Sequence, residues 1–397
     1  MRSINAGRDC FVGPLAGLRV IEVAGIGPGP FCGMMLADMG AEVLIVERSP
    51  GVNAAAGDPL QRSRQRLVLD LKTPEGIAAL LELVERADVL FEGYRPGVAE
   101  RLGFGPEVCL QRNPRLVYGR VTGWGQDGPL ATAAGHDINY IALSGALHAI
   151  GRRGGKPVVP LNLVGDFGGG GMLLAFGIVC ALLEARRSGK GQVVDAAMVD
   201  GAIALMAMFI GMQHRGLSSD EVGAHFLGGA AHYYDTYETR DGKFISIGAL
   251  EPQFYATLIE KAGLDPATFA DAGMMSRKGH DPRVWESLKG KLAEVFRQRT
   301  RAQWCEALEG GDACFAPVLS LSEAPAHPHN LARGSFVEVE GRLQNAPAPR
   351  FSRTQPERPR PSTQAHHDLK TLLMRWGHGE AQADGILGSS TKSAAGG

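Results

Sequence analysis

His136 and Asp166 are the residues whose surroundings best suit them to move protons. His136 lies in Gly135-His136-Asp137-Ile138-Asn139-Tyr140, where two adjacent ionisable groups enter an apolar stretch running to Ile150. Asp166 is a lone carboxylate between the apolar Leu163-Val164 and Phe167, which four glycines follow. Glycine adds no side-chain bulk, so a ligand can come close, and backbone N–H groups are at hand to hold negative charge. An imidazole and a carboxylate in one short region form a general acid–base pair. Two structural readings stand beside the catalytic one. Asp166 can be a helix N-cap before an apolar run, and His136 can be a hydrogen-bonded residue at a helix start.

Such a pair needs a frame. From residue 18 the order is strand (19–24), glycine loop (25–30), helix (31–39) closed by Gly40, and strand (42–47). Thr73-Pro74-Glu75 opens a helix with a Thr cap and Pro at the first position. That helix feeds a strand at 88–92, and another helix precedes a strand at 116–121. The alternation implies an α/β fold with a doubly wound parallel sheet. A helix from Asp166 to about residue 187, a short strand at 192–196 and a helix to 212 follow. At 233 the texture changes. Segments 233–239 and 243–248 flank Arg240-Asp241-Gly242, a hairpin signal, and helices are expected at 251–262, 282–297 and 301–309. The expected organisation is a large domain with a linker helix (13–229), a small α+β domain (230–321) and a return to the large domain (322–355), with strands in 335–350. A Pro-, Gln- and Arg-rich tail (356–397) is expected to be largely disordered.

Composition narrows the function. The 397 residues carry 41 basic and 42 acidic side chains, without the basic excess of a nucleic-acid binder. The six cysteines show no Cys-x-x-Cys pair and the 11 histidines no metal motif, as expected of a reduced, cytoplasmic protein without a metal site. Residues 1–14 lack an apolar core of signal-peptide type. The apolar run 171–183 is short for a membrane span and 196–212 carries Asp200, so both read as buried core helices and no membrane partner is expected.

The loop Gly25-Ile26-Gly27-Pro28-Gly29-Pro30, with Glu47 some twenty residues on, approaches a dinucleotide fingerprint. Pro28 and Pro30 have no N–H to offer a pyrophosphate, which disfavours a nicotinamide-dependent dehydrogenase. Arg48, directly after the second strand, suits a phosphate better than a bare ribose hydroxyl. Arg64, Arg66, Lys72, Arg95 and Arg101 recur at strand or loop ends, and singly each reads as a solvated surface charge. Arg95 stands apart, because Gly93-Tyr94-Arg95-Pro96-Gly97 is a rigid loop at a strand's C-terminal end, where open α/β sheets bind ligands. A 3′-phosphorylated adenosine diphosphate, the handle of coenzyme A, would suit these cations.

At these residues the chain resembles the class III CoA-transferase superfamily. The matching stretches include residues 13–20, the 25–30 loop, Glu92-Gly93-Tyr94-Arg95-Pro96-Gly97, Gly123-Trp124-Gly125-Gln126, the 135–140 segment, Gly165-Asp166-Phe167-Gly168-Gly169-Gly170 and Gly248-Ala249-Leu250-Glu251-Pro252-Gln253-Phe254-Tyr255. They span about 13–355. The resemblance implies a Rossmann-like large domain with a smaller α+β domain, an interlocked homodimer, and no cofactor, CoA being part of the substrate. It implies that His136 and Asp166 are acid and base, with Glu251 orienting His136 from the small domain. It also implies that Arg48, Leu69, Asp70, Leu71, Lys72, Gly93, Tyr94, Arg95, Arg101, Gly135, His136, Asp137, Ile138, Asn139 and Tyr140 contact the acyl-CoA. Residues 54–57 look like a variable loop.

The chemistry follows from the thioester, which acidifies the carbon beside its carbonyl. Racemising a 2-methylacyl-CoA at C2 needs a base on one face, an acid on the other and a donor for the enolate oxygen. The expected donor is a backbone N–H at the glycine-rich helix start after Asp166. The alternative is CoA transfer between carboxylic acids, with Asp166 as nucleophile; His136 favours the racemase, since a transferase needs no second proton shuttle. A non-catalytic CoA-binding dimer would need the site residues replaced. Met198, Met206, Met208 and Met212 could line an acyl surface, or pack as core at their helical spacing.

Overall fold

The computed structural model describes residues 12–49, 57–276, 278–363 and 365–394. Most of the 54–57 loop therefore lies outside the described residues, as do residues 1–11 and 395–397. Six strands form one sheet: β1 (Arg19–Val23), β2 (Glu42–Glu47), β3 (Gln65–Val68), β4 (Val89–Glu92), β5 (Val117–Thr122) and β6 (Gln192–Ala197). Their order is β3-β2-β1-β4-β5-β6 and every neighbouring pair is parallel. This is the doubly wound arrangement that the strand–helix alternation implied.

Successive strand residues point to opposite faces, and both faces are covered. Ile21, Val23, Leu44, Val46, Leu67, Leu90 and Tyr118 share one buried cluster with Leu80, Leu83 and Val84. Those last three belong to α2 (Pro74–Val84), capped as expected by Thr73, whose hydroxyl accepts the Gly76 N–H at 3.1 Å. Val20, Val43, Val89, Phe91 and Val117 pack on the other face against Cys32 and Leu36 of α1 (Pro28–Asp38) and Leu174 and Ile178 of the helix Leu173–Ser188. Two-sided burial explains the near-continuous apolar runs of these strands. The remaining helices near the site are α3 (Val98–Leu102), α4 (Pro106–Arg112) and α5 (Asp137–Leu143).

The chain divides into two compact units. The first contains residues 1–144, 161–205 and 332–397, and the second residues 145–160 and 206–331. The second unit thus gains 145–160, 206–229 and 322–331 relative to the expected small domain. Its sheet has the order β7-β8-β9, with β7 (Tyr234–Glu238), β8 (Phe244–Gly248) and β9 (Phe315–Val318) all antiparallel. Helices Pro252–Ala262, Pro282–Phe296 and Arg301–Leu308 cover it around Tyr237, Ile245, Leu258, Leu292, Phe296 and Trp304. A hairpin of β10 (Phe336–Val339) and β11 (Arg342–Asn345) returns the chain to the first unit, as the 335–350 pattern indicated.

Three expectations are corrected. The tail is structured: helices His366–Arg375 and Glu380–Ala394 place Leu369, Leu372, Leu373, Trp376, Ile386 and Leu387 in the core beside α2. Trp376 also donates its indole N–H to Glu42 Oε2 at 3.0 Å. Arg64 and Arg66 are not solvated. With Arg62 they are buried, paired to Glu22, Glu47 and Asp38 respectively. Finally, the helix after Asp166 is not a plain α-helix. Leu163–Met172 is a π-helix that runs directly into Leu173–Ser188. The 26-residue Leu163–Ser188 segment is by length and composition able to cross a membrane, yet Leu174, Ile178 and Leu182 pack on the sheet.

The four glycines after Phe167 have a packing reason. A Cβ on Gly169 would meet the Ala202 N at 2.8 Å, and one on Gly201 would meet the Gly169 backbone. Helix Met198–Leu205 therefore lies backbone to backbone on the π-helix. On the other side the ring of Phe31 of α1 stacks on Phe167, with centroids 4.7 Å apart.

Candidate active site

A cavity of about 630 Å³ opens at the C-terminal ends of β1, β4 and β5. Every residue lining it belongs to the first unit, including Gly25, Ile26, Gly27, Gly93, Tyr94, Arg95, Trp124, Gly135, His136, Asn139, Tyr140 and Asp166. His136 is the residue at which α5 begins. Its N–H donates to Asn139 Oδ1 at 3.0 Å and its carbonyl accepts the Asn139 N–H at 2.8 Å. The helix-start reading is thus right for the backbone of His136, and the exposed imidazole is left to the cavity.

Asp166 is not an N-cap; it sits in the first turn of the π-helix. Asn162, one residue before that helix, donates its amide N–H to Asp166 Oδ2 at 3.2 Å. Asp137 Oδ1 accepts the Asp166 backbone N–H at 2.7 Å and so ties the first turn of the π-helix to α5. Asp137 itself is buried behind the cavity. Burial chiefly pushes the Asp166 carboxyl above its ordinary value, and the negative charge of Asp137 adds to this; the Asn162 hydrogen bond and His136 act the other way. π-Turns are rare and recur at functional sites; here one delivers a half-buried carboxylate to the cavity wall.

The glycine loop meets this carboxylate. Gly27 has φ 68°, and a Cβ there would lie 2.9 Å from Asp166 Oδ2. The Gly27 position is thus kept open by the loop's role in the site wall. Pro28 starts α1 without an N–H, as the sequence argument against a pyrophosphate cradle required. Glu47 adds to that argument, because its buried carboxylate is already held by Arg66, with the Arg66 Nε 3.0 Å away.

A second cavity, of about 360 Å³, lies at the ends of β2 and β3. It is lined by Arg48, Leu69, Asp70, Leu71, Lys72, Tyr94 and Leu102 among others. Tyr94 lines both cavities. Arg48 is solvent-facing and 4.0 Å from Asp70 Oδ1. The structure therefore gathers most of the residues expected to contact CoA into two neighbouring hollows. Arg101, on α3, and Ile138, on α5, line neither. Met198 lines the larger cavity, whereas Met208 is exposed in the second unit. Glu251 lies in the second unit, where it precedes the helix Pro252–Ala262 and its charge helps burial to raise the Cys314 thiol.

Sequence reasoning missed Asn162, which reaches Asp166 only through the π-turn that joins them. The expected enolate donor is a backbone N–H at the glycine-rich helix start after Asp166. The Asp166 N–H is taken by Asp137 and the Phe167 N–H by the Asn162 carbonyl, at 3.3 Å. In the first turn of α5 the Asn139 N–H goes to the His136 carbonyl, which leaves the N–H groups of Asp137 and Ile138, without an acceptor in the helix, as donors. Among the described residues no group of three His, Cys, Asp or Glu side chains could hold a metal ion.

Fold and site together define a doubly wound α/β protein with a cavity lined by a histidine and an aspartate at the C-terminal edge of its parallel sheet. More narrowly, the chain belongs to CoA-transferase family III, whose sequence pattern matches residues 15–367. It is 45% identical over 365 residues to mouse α-methylacyl-CoA racemase, covering 90% of this chain and 92% of that protein. It is 46% identical over 336 residues to the human racemase, covering 84% of this chain and 86% of that one. Human succinyl-CoA:glutarate CoA-transferase is 28% identical over 396 residues, covering 91% of this chain and 86% of that one. The crystal structure of a CaiB/BaiF family protein from Brucella suis superposes with a TM-score of 0.75 at 25% identity, covering 92% of this chain and all of that one.

Proposed function

We infer that this chain racemises 2-methylacyl-CoA thioesters by a 1,1-proton transfer at C2. The identity to two curated racemases over most of the chain supports the activity. One geometric observation carries the mechanism: imidazole and carboxylate, from two different helices, line one cavity. With the thioester between them, one group removes the C2 proton and the other, protonated, returns a proton to the opposite face. The enolate oxygen is held by the open N–H groups at the start of α5. For reaction in both directions Asp166 must carry a proton in one resting state, and the burial that raises its pKa favours this. The nucleotide end of CoA lies along the second cavity, with Arg48 and Lys72 as its cations; a contact from Arg95 and Arg101 rests on the family resemblance. Glu251 orients His136, a role that rests on the family resemblance. The active form is an interlocked homodimer. Leu143, Leu163, Met172, Phe176, Leu183 and Leu205, all exposed on the first unit, support an apolar partner surface.

The test is to incubate one enantiomer of a 2-methylacyl-CoA in deuterated water. Deuterium is expected at C2 as configuration is lost, with no carboxylic acid acceptor present. His136→Ala and Asp166→Ala should each slow racemisation by about 10²-fold or more. An acyl adduct on Asp166 trapped by hydroxylamine, with no deuterium at C2, would replace this reading with CoA transfer.

A further inference from the structure

Arg120 takes no part in the chemistry above, yet it is the cation on which the cavity walls converge. It lies in β5 opposite Glu92 of β4 on one side and Asp195 of β6 on the other, and it is buried. Its Nε is 3.3 Å from Glu92 Oε1, its Nη1 donates to Gln126 Oε1 at 2.7 Å, and its Nη2 donates to Glu100 of α3. Each acceptor holds a different piece of the wall. Glu92 Oε2 accepts the Tyr94 N–H at 2.5 Å and so fixes the 93–97 loop. Glu100 belongs to the short helix that carries Arg101 and Leu102. Gln126 closes the loop that presents Trp124, and its own N–H donates to Asp195 Oδ2 at 3.0 Å. Gly93, Tyr94, Arg95, Pro96 and Trp124 line the larger cavity, and Tyr94 and Leu102 the smaller.

The planar guanidinium donates to two acceptors, Gln126 and Glu100, in fixed directions while its charge faces Glu92 as an ion pair, which the point charge of a lysine cannot reproduce. Two carboxylates also share this one cation. Burial pushes the Glu92 carboxyl up to about 7, against the pull of Arg120 and the Tyr94 N–H. Glu100, the more exposed of the two, stays below its ordinary value; burial, the largest single cause, opposes this, and the Arg120 contact and backbone N–H groups together outweigh it.

We propose that Arg120 is a positioning residue for substrate binding: its guanidinium sets the 93–97 loop, α3 and the Trp124–Gln126 turn at the spacing the CoA moiety requires, without touching the reacting carbon. This rests on the acyl-CoA reading. The full-length protein and its Arg120→Met, Arg120→Lys and Glu100→Gln variants would be titrated with CoA. In parallel, KM and kcat would be measured for C2 deuterium uptake. Arg120→Met is expected to weaken CoA binding and raise KM by about tenfold or more, with kcat within about twofold. Arg120→Lys should recover part of the loss. Glu100→Gln, which removes one arm at a partly exposed position, should raise KM by about threefold, and it decides the matter if Arg120→Met does not fold. Unchanged KM in the folded variants, or a fall in kcat at constant KM, would overturn the assignment. Wild-type protein that binds no CoA would overturn the acyl-CoA reading and this assignment with it.

Discussion

At the scale of single residues, the site turns on the environment of one carboxylate. Asp166 is pulled two ways: burial and Asp137 favour its neutral form, whereas Asn162 and His136 favour the anion. Removing the Asn162 amide should therefore raise its pKa further. A hydrogen bond to a charged acceptor contributes about 1.5–3 kcal/mol, of which a half-buried site keeps the lower part, so the shift is about one unit. In the direction where Asp166 acts as base, activity is lost as pH falls through this pKa. The acid limb of that profile should move up by about one unit in Asn162→Ala, while the Asn162→Asp variant, with a second negative charge, should move it further still. An unchanged acid limb in Asn162→Ala would mean that Asp166 is not the group titrating there. His136 and Asp166 were legible from sequence because glycine and apolar neighbours isolate them. Asn162 was not, because its role depends on a π-turn that no residue pattern announces.

At the scale of elements, legibility followed how local the cause of each structure is. Strands β1, β2, β4 and β5 were readable because burial on both faces makes them largely apolar, whereas the edge strand β6 is mostly exposed over its first half. Strand β3 was not readable, since Gln65 and Arg66 disguise it and the carboxylate that Arg66 needs, Glu47, comes from the neighbouring strand. The helix 196–212 was seen as one element, but Met206 separates Met198–Leu205 from Ala207–His214, which fall in different units. The tail failed for another reason. Leu369, Leu372, Leu373 and Trp376 recur at helical spacing, but the proline-rich approach outweighed that pattern. The docked helix makes a prediction of its own. Leu373 is fully buried and Met374 half exposed, so Leu373→Ala should cost about 2–5 kcal/mol, and Met374→Ala within about 0.5 kcal/mol. Denaturant midpoints at an unchanged slope would measure both. Equal, small effects would show that the C-terminal helices do not belong to the cooperative fold.

At the scale of the whole molecule, the cavity and the proposed partner of His136 lie in different units of the chain, and the first unit leaves an apolar surface uncovered. Met172, Phe176 and Leu183 follow one another at offsets of four and seven, hence on one helical face. All three are exposed in the single chain, an arrangement more typical of an obligate interface than of a monomer's surface. An interlocked homodimer accounts for both facts if His136 of one subunit works with Glu251 of its partner. Glu251→Gln alone should then lower kcat more than it weakens CoA-ester binding. The decisive experiment co-expresses His136→Ala and Glu251→Ala chains under different tags and isolates the mixed dimer. Each parent homodimer has two damaged sites. The mixed dimer has one site with both residues intact and one lacking both, so it should recover about half the wild-type turnover per dimer. If the two residues instead work within a single chain, every site in the mixed dimer is damaged and no recovery occurs. A monomer that stays folded and active on dilution, seen by sedimentation, would exclude the interlocked form altogether.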